Sequence, residues 1–193
     1  MEERLLRELN LANPWWFGKE GQAENYKRKQ FLEIVKYIKT KQIIGIIGLR
    51  RIGKTVMLRQ LIQLLLVESH ESPGNILFFT FEDEWNKKET LEEIIYYYLE
   101  NKSKGGRKFI FLDEIQLVKG WASVLKRFYD RNDNIKFIIS GSASLSIEKS
   151  IESLAGRIYD FILSPSTFLE FLEMKNIFPY YQKANNFSEY KKL

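Results

Sequence analysis

Apolar residues along the chain collect into short, nearly unbroken runs that are separated by longer amphipathic segments. The runs lie at 43–47, 76–81, 108–112, 135–140 and, with more polar positions, 157–163. A run of this length with few polar residues is typical of a strand covered on both faces, as in a parallel sheet. The pattern therefore predicts five strands inside the molecule.

The longer segments have the periodicity of helices. Residues 24–40 place Phe31, Ile34, Val35 and Ile38 on one face, which is the i, i+3, i+4, i+7 pattern. Further helices are predicted over 53–67, 90–100 (starting with a capping box, Thr90 to Glu93), 120–130, about 142–154, and after a cap formed by Thr167 and Glu170. Strands that alternate with helices predict an α/β fold, a three-layer α/β/α domain with a five-stranded parallel sheet.

The first part of the chain differs from this alternation. Residues 1–23 predict a short helix that ends near Asn13–Pro14, followed by Trp15, Trp16 and Phe17. Three adjacent aromatic residues can stack on an adenine, dock on a partner, or act as a clamp that seals the segment onto the domain. We favour the clamp.

Composition excludes several classes of protein. The 193 residues include no cysteine, which rules out disulfides and thiolate metal sites. No apolar run is long enough to cross a membrane, and Met1–Arg4 does not begin a signal peptide. We therefore expect a cytoplasmic protein. The net charge of +5 and the basic clusters at 26–29 and 102–108 allow nucleic-acid binding, although solubility is the interpretation that we favour.

The clearest chemical signal is Gly48–Thr55, which fits G-x-x-x-x-G-K-[ST] between a predicted strand and a predicted helix. We expect Gly48 and Gly53 to take backbone angles that are closed to other residues, so that the N–H groups of the loop turn inward around phosphate, at the positive end of the next helix. Arg50 and Arg51 are phosphate contacts or a solvated basic edge, and we favour the edge. The candidate nucleotide-binding residues are Gly48, Arg50, Arg51, Ile52, Gly53, Lys54, Thr55 and Val56.

Within this loop, Lys54 is expected to contact the β- and γ-phosphates, and Thr55 to offer its hydroxyl to Mg²⁺. A second group of candidate site residues follows the apolar run Phe109–Leu112, where Asp113 and Glu114 come next in the chain. A carboxylate at a strand end can hold Mg²⁺, and the next one can activate a water; the alternative is a pair of solvated acids. The spacing between Lys54 and Asp113 and the presence of a second acid favour the class of P-loop proteins with an additional catalytic glutamate. ATP is favoured over GTP, partly because the sequence contains no Asn/Thr-Lys-x-Asp motif that reads guanine.

Two further signals near strand ends are less specific. Ser140 and Ser142 flank Gly141 after the fourth strand, where a polar side chain could sense the γ-phosphate, although Ser-Gly-Ser also occurs in turns. Arg157, at the start of the fifth strand, could reach a γ-phosphate in its own or a neighbouring subunit. A structural ion pair is the alternative for Arg157.

These residues together resemble a known group, the prokaryotic and largely archaeal ATPases of the AAA+/STAND group. The resemblance spans about residues 40–172 and is carried by Gly48–Thr55, Leu112–Gln116 with Trp121, Ser140–Ser142, Leu154–Arg157 and Pro165–Phe171. It implies a RecA-like core with strand order 5-1-4-3-2 that binds ATP or ADP with Mg²⁺. Members of the group continue into a helical or winged-helix region, so residues 41–175 look like the ATPase domain, 1–40 like a lead-in packed on it, and 176–193 like the start of a lid or linker.

The resemblance and the motifs leave three functions open. The first is hydrolysis of ATP to ADP and phosphate, with Lys54, Glu114 and Arg157 as catalytic candidates, coupled to a conformational change or a partner. The second is a nucleotide-gated binding switch with little turnover. The third is a DNA-associated motor or loader. We expect binding to a protein partner or a C-terminal domain, and DNA is a further possible partner. The protein could also form an oligomer, and we do not expect it to bind a membrane.

Overall fold

The computed structural model describes residues 2–19, 21, 26–81, 85, 87–142 and 154–177. Within these residues the predicted strands form one parallel sheet, in which the second, third, fourth, first and fifth strands of the chain lie side by side in that order; this confirms the predicted fold class and strand order. The strands are β1 (Ile43–Gly48), β2 (Ile76–Thr80), β3 (Lys108–Asp113), β4 (Ile135–Ser142) and β5 (Ile158–Ile162).

Helices cover both faces of this sheet because the strands are apolar on both faces. In chain order they are α1 (Glu3–Ala12), α2 (Lys29–Val35), α3 (Lys54–Gln63), α4 (Lys88–Asn101), α5 (Trp121–Arg131) and α6 (Phe168–Met174). One core layer joins α2 and α3 to Ile44, Ile46 and Ile138. The other joins α1, α4 and α5 to Leu112, Ile139 and neighbouring strand residues. The molecule therefore has the predicted three layers.

Several element boundaries differ from the prediction. The helix expected over 24–40 is shorter in the structure, where α2 spans Lys29–Val35. After Val35 the chain turns through hydrogen bonds between residues three apart, and Lys136 Nζ donates to the Tyr37 carbonyl. The helix expected over 53–67 changes after α3 into a π-helical turn, Leu64–Glu68. The prediction of a capping box that starts at Thr90 is wrong, because α4 begins at Lys88 and Thr90 lies inside its first turn.

Other boundaries agree more closely. β4 continues to Ser142, two residues beyond the predicted end, while β5 lies inside its predicted span. The cap formed by Thr167 and Glu170 is confirmed, with both reciprocal hydrogen bonds of a capping box. The helix expected over about 142–154 falls mostly outside the described residues, as does most of the segment 176–193. No helix in the described ranges is long and apolar enough to cross a bilayer.

The lead-in lies along the free edge of β2. Asn13 is fully buried, and its side-chain amide accepts from the N–H and donates to the carbonyl of Phe78. The indole N–H groups of Trp15 and Trp16 both donate to the Ile76 carbonyl, at 3.0 and 2.9 Å. Phe17 remains exposed. Trp15 and Trp16 therefore act as the clamp that we favoured.

Candidate functional site

The loop between β1 and α3 is shaped by two glycines, for different reasons. Gly53 has φ +94°, a left-handed conformation that strains residues with a side chain. Gly48 does not have a positive φ; instead, a Cβ there would lie 2.5 Å from the Leu163 carbonyl oxygen and 2.3 Å from Ile52 Cδ1. The expectation that both glycines supply unusual backbone angles is therefore correct for Gly53 alone, and Gly48 is required for close packing.

Lys54, the first residue of α3, is buried with 4% of its surface exposed. Its Nζ donates to the carbonyl oxygens of Gly48, at 3.3 Å, and Leu49, at 3.0 Å. The same Nζ lies 3.6 Å from Glu114 Oε1. The ammonium group is thus held between the loop and the end of β3.

Asp113, the last residue of β3, connects three of the predicted residues. Its carboxylate is buried, with 2% of the residue exposed. Oδ2 accepts from Thr55 Oγ1 at 2.6 Å, while Oδ1 accepts from the Ser140 hydroxyl and, at 3.1 Å, from the Glu114 N–H. A buried carboxylate needs such donors to offset its lost hydration. The structure therefore places the acid at the end of β3 beside the Thr55 hydroxyl of the phosphate loop, which is Gly48–Thr55.

Glu114 has φ 51° and ψ 37°, a left-handed conformation that is uncommon for a residue with a side chain. Such local strain is frequent at functional sites. One carboxylate oxygen faces Lys54, and the other accepts from Gln116 Nε2. The sequence reasoning missed this role of Gln116; its position two residues beyond Glu114, across a short 3-10 turn, was the available signal.

The two sensor candidates have different positions. Ser140 is buried and its hydroxyl is committed to Asp113. Ser142 is half-buried at the end of β4 and pairs in register with Gly48, so it lies beside the first residue of the phosphate loop. The assignment of either serine as a sensor stays a prediction.

Arg157 is not brought to this site. It precedes β5, and its carbonyl accepts from the N–H of Ile43, which is the first residue of β1. The phosphate loop follows the other end of β1, about 17 Å away, because the six residues of β1 span five rises of about 3.3 Å. The Arg157 guanidinium pairs with Asp130, with Nε 2.8 Å from Oδ1. Within its own chain, Arg157 makes the structural ion pair that was the alternative to an arginine finger.

The remaining loop residues lie around the group formed by Lys54, Thr55, Asp113 and Glu114. Arg50 and Arg51 are exposed, as the solvated-edge interpretation requires. Ile52, Gly53 and Val56 line a cavity of about 790 Å³ that opens beside the loop. The same cavity is lined by residues of the segment 26–28 and of α6, among them Tyr26, Arg28, Phe171 and Met174.

The residues present suit a magnesium ion that is shared with phosphate. Mg²⁺ is usually bound through one or two protein oxygens together with substrate phosphates and waters. The contact between Thr55 Oγ1 and Asp113 Oδ2 places a hydroxyl and a carboxylate side by side at the loop. Across the part of the chain that the structure describes, there is no group of three or more His, Cys, Asp or Glu residues that could hold a metal by itself.

The strand order and this arrangement at the carboxyl edge of the sheet define a P-loop nucleotide-binding domain of the AAA+ class. Comparison with known families agrees. The model of the AAA domain family AAA_14 matches residues 40–172, and the chain belongs to that family.

Relatives of this chain occur in archaea and bacteria. An uncharacterized protein of Methanocaldococcus jannaschii, MJ1637, is 29% identical over 172 residues, which cover 83% of this chain and 36% of the relative. An uncharacterized protein of Haemophilus influenzae is 31% identical over 176 residues, which cover 88% of this chain and 42% of the relative. The chain therefore spans less than half the length of these curated relatives.

Among solved structures, S. cerevisiae Hsp104 in its extended complex with casein superposes with a TM-score of 0.61. The match covers 89% of this chain and 32% of the Hsp104 chain, at 14% identity. At this identity the likeness shows a shared fold. The narrower resemblance to the STAND group stays a prediction.

Proposed function

We propose that this domain binds ATP together with Mg²⁺ and hydrolyses it to ADP and phosphate. The observation that carries the proposal is the contact of Asp113 with Thr55, next to Lys54 and Glu114. These are the residues that a phosphoryl-transfer site requires: a cation for the phosphates, oxygen ligands for the metal, and a carboxylate for the attacking water.

Each residue has a separate task in this proposal. Lys54 binds the β- and γ-phosphates, while the amides of the loop and the N-terminus of α3 complete the anion site. Thr55 and Asp113 would hold Mg²⁺, which neutralises charge on the phosphate oxygens when it is bound. Ser140 keeps the Asp113 carboxylate oriented through its hydroxyl.

Glu114 is the proposed general base. Its carboxylate accepts a proton from water as the water oxygen attacks the γ-phosphorus, and the bond from that phosphorus to the β–γ bridging oxygen breaks. Gln116 holds one carboxylate oxygen of Glu114, which limits the rotation of the side chain. The half-buried position of Glu114 leaves it open to water.

The cavity beside the phosphate loop suits the nucleoside part of the substrate. Its volume of about 790 Å³ lies in the usual range for ligand pockets. Val56, Met57, Phe171 and Met174 supply apolar surface, while Tyr26 and Asn176 supply polar atoms. This cavity adjoins Gly53, so one bound nucleotide can reach both the cavity and the loop.

The change Glu114→Gln tests the proposed chemistry. Steady-state phosphate release from ATP with Mg²⁺ should fall about 100-fold or more, because the amide cannot accept the proton. The affinity for ATP should change less than about threefold, since Lys54 and the loop remain. Glu33→Gln, on the exposed face of α2, is the matched control. Equal phosphate release by wild type and Glu114→Gln would remove Glu114 from the mechanism.

The same measurements separate the other candidate functions. A nucleotide-gated switch would bind ATP or ADP with a Kd that depends on Lys54 but would show no steady-state phosphate release. A DNA-associated motor would show phosphate release that duplex DNA stimulates and that added salt suppresses. The sequence-based expectations of a cytoplasmic location, an oligomer and a partner remain part of this proposal.

A further inference from the structure

A buried ion pair lies outside the catalytic cluster, between the N-terminal segment and α6. Arg28 and Glu170 are 7% and 5% exposed and stand 142 residues apart in the chain. Arg28 Nε donates to Glu170 Oε1 and Nη2 donates to Oε2, each at 3.2 Å. This two-bond geometry is the strongest way in which a guanidinium can bind a carboxylate.

The same guanidinium also contacts backbone from two other segments. Nη2 donates to the Ser164 carbonyl at 2.9 Å, in the segment between β5 and α6. Nη1 lies 3.4 Å from the Ile52 carbonyl oxygen, inside the phosphate loop. Arg28 therefore joins the phosphate loop to α6 through one rigid, planar group.

The contact with Ile52 has a direct consequence for the loop. The Ile52 carbonyl and the Gly53 N–H belong to one planar trans peptide, so they point in opposite directions. A donor that holds the carbonyl on one side turns the N–H to the other side. Arg28 thus orients the Gly53 amide at the N-terminus of α3, a position that favours anions.

Glu170 links this arrangement to the start of α6. Its Oε2 accepts from Arg28 and, at 2.9 Å, from the backbone N–H of Thr167, the N-cap residue of α6. Burial opposes the charge of Glu170, but the hydrogen bonds from Arg28 and Thr167 outweigh it and lower the pKa of the carboxyl. The carboxylate is therefore ionised and shared between α6 and Arg28.

A second connection runs parallel to the first. Gln60, on α3, donates to the Tyr26 carbonyl at 2.7 Å. The Tyr26 hydroxyl donates to Glu173 on α6 at 2.6 Å. The helix that follows the phosphate loop and the last described helix are thus both tied to the segment 26–28.

We propose that the Arg28–Glu170 ion pair couples nucleotide binding at the phosphate loop to the position of α6, with Arg28 and Glu170 as positioning residues. The proposal rests on the proposed nucleotide binding. An anion that pulls the Gly53 N–H inward strengthens the bond from Arg28 to the Ile52 carbonyl. The guanidinium passes this change to Glu170 and to the cap of α6. Coupling of this kind is reciprocal, so a change at α6 alters nucleotide affinity.

The experiment uses the full chain with Mg·ADP as the probe. Calorimetric titration gives the Kd for wild type, Arg28→Met, Glu170→Gln and the double variant. Hydrogen exchange of residues 167–174 is followed with and without Mg·ADP. We expect each single variant to bind about tenfold more weakly, and the double variant to bind no more weakly than Arg28→Met alone. The slowing of exchange in α6 by nucleotide, present in wild type, should be lost in all three variants.

Two further variants keep the result interpretable. Lys27→Met is the matched control, because Lys27 is next in the chain but pairs with Glu68 at the surface; its Kd should stay within about twofold of wild type. Arg28→Lys, which keeps the charge but not the fork, serves if Arg28→Met does not fold; it should bind several-fold more weakly than wild type.

The outcomes separate this inference from the proposed function. If wild type binds Mg·ADP and the folded variants bind it equally well, or still show slower exchange in α6, the coupling is overturned and the nucleotide site stands. A purely structural ion pair would lower the Tm of the variants without altering this response of α6. If wild type does not bind Mg·ADP, the proposed function fails and the coupling fails with it.

Discussion

Lys136 is a charged residue that is fully buried in β4. Its ammonium group donates to the carbonyls of Tyr37, at 2.8 Å, and Gln42, and to the hydroxyl of Thr40, at 3.3 Å. These three acceptors match the three donors of a lysine. Burial and, less strongly, the charge of Arg107 lower the pKa of Lys136 to about 7. The turn between α2 and β1 is therefore fastened to the sheet by a lysine that titrates near neutrality.

This lowered pKa predicts a pH-dependent contribution to stability. Between pH 7 and about 10, Lys136 is neutral in the folded chain but still protonated in the unfolded chain, which binds more protons. Because stability then rises with pH, the free energy of unfolding of wild type minus that of Lys136→Met should increase by up to about 1.4 kcal/mol per pH unit. Urea unfolding at pH 6, 7, 8 and 9 measures this difference, which should flatten below pH 7. A constant difference would contradict the lowered pKa.

At the scale of elements, β2 is a strand that needs protection, because it forms one of the two edges of the sheet. An exposed edge offers unpaired backbone groups to other chains. Here Asn13 copies a neighbouring strand by pairing with both the N–H and the carbonyl of Phe78, at 2.7 and 2.8 Å. The side chain makes a third bond to the Leu9 carbonyl, which joins the end of α1 to the edge. The lead-in thus completes the sheet with side chains.

The change Asn13→Leu should lower the free energy of unfolding by about 3 kcal/mol, because it leaves two buried backbone groups of Phe78 without partners. Leu11→Ala, at a position that is 66% exposed near the end of α1, should change stability by less than about 0.5 kcal/mol. Guanidinium unfolding of both variants measures the comparison. Equal stability of Asn13→Leu and wild type would show that water replaces the asparagine at this edge.

For the whole molecule, nucleotide binding should appear as stability, since a ligand that binds only the folded chain shifts the unfolding equilibrium. At 100 times the Kd, Mg·ADP should stabilise the domain by about 2.7 kcal/mol and raise the Tm by roughly 5–10 °C. Lys54→Met should remove this shift, while Lys36→Met, at an exposed ion pair, should keep it. Thermal melts with and without Mg·ADP make the comparison, and a shift that survives Lys54→Met would place the nucleotide elsewhere.

Much of the architecture could be predicted because its causes are local in the chain. Each of the four strands β1 to β4 corresponds to an apolar run in the sequence. Gly48–Thr55 is preceded by a predicted strand and followed by a predicted helix. The strand order was predicted from the resemblance to known ATPases, because hydrophobic periodicity predicts where strands lie in the chain but not which strands are neighbours in the sheet. The capping box at Thr90 shows the limit: the pattern was present, but α4 continued two residues further towards its N-terminus.

The amino-acid sequence by itself determined the alternation of strands and helices, the phosphate loop, and the two acids at the end of β3, because each depends on residues that are neighbours in the chain. Only the tertiary structure decided what distant residues do. It places the Ser140 hydroxyl on Asp113 and the Arg28 guanidinium on Glu170. It places Arg157 beside the first residue of β1, at the end of the strand that lies away from the phosphate loop, where it pairs with Asp130. The physical reason is that a side chain's role depends on which strand end it reaches and which partner is buried there, and packing of the whole chain sets both.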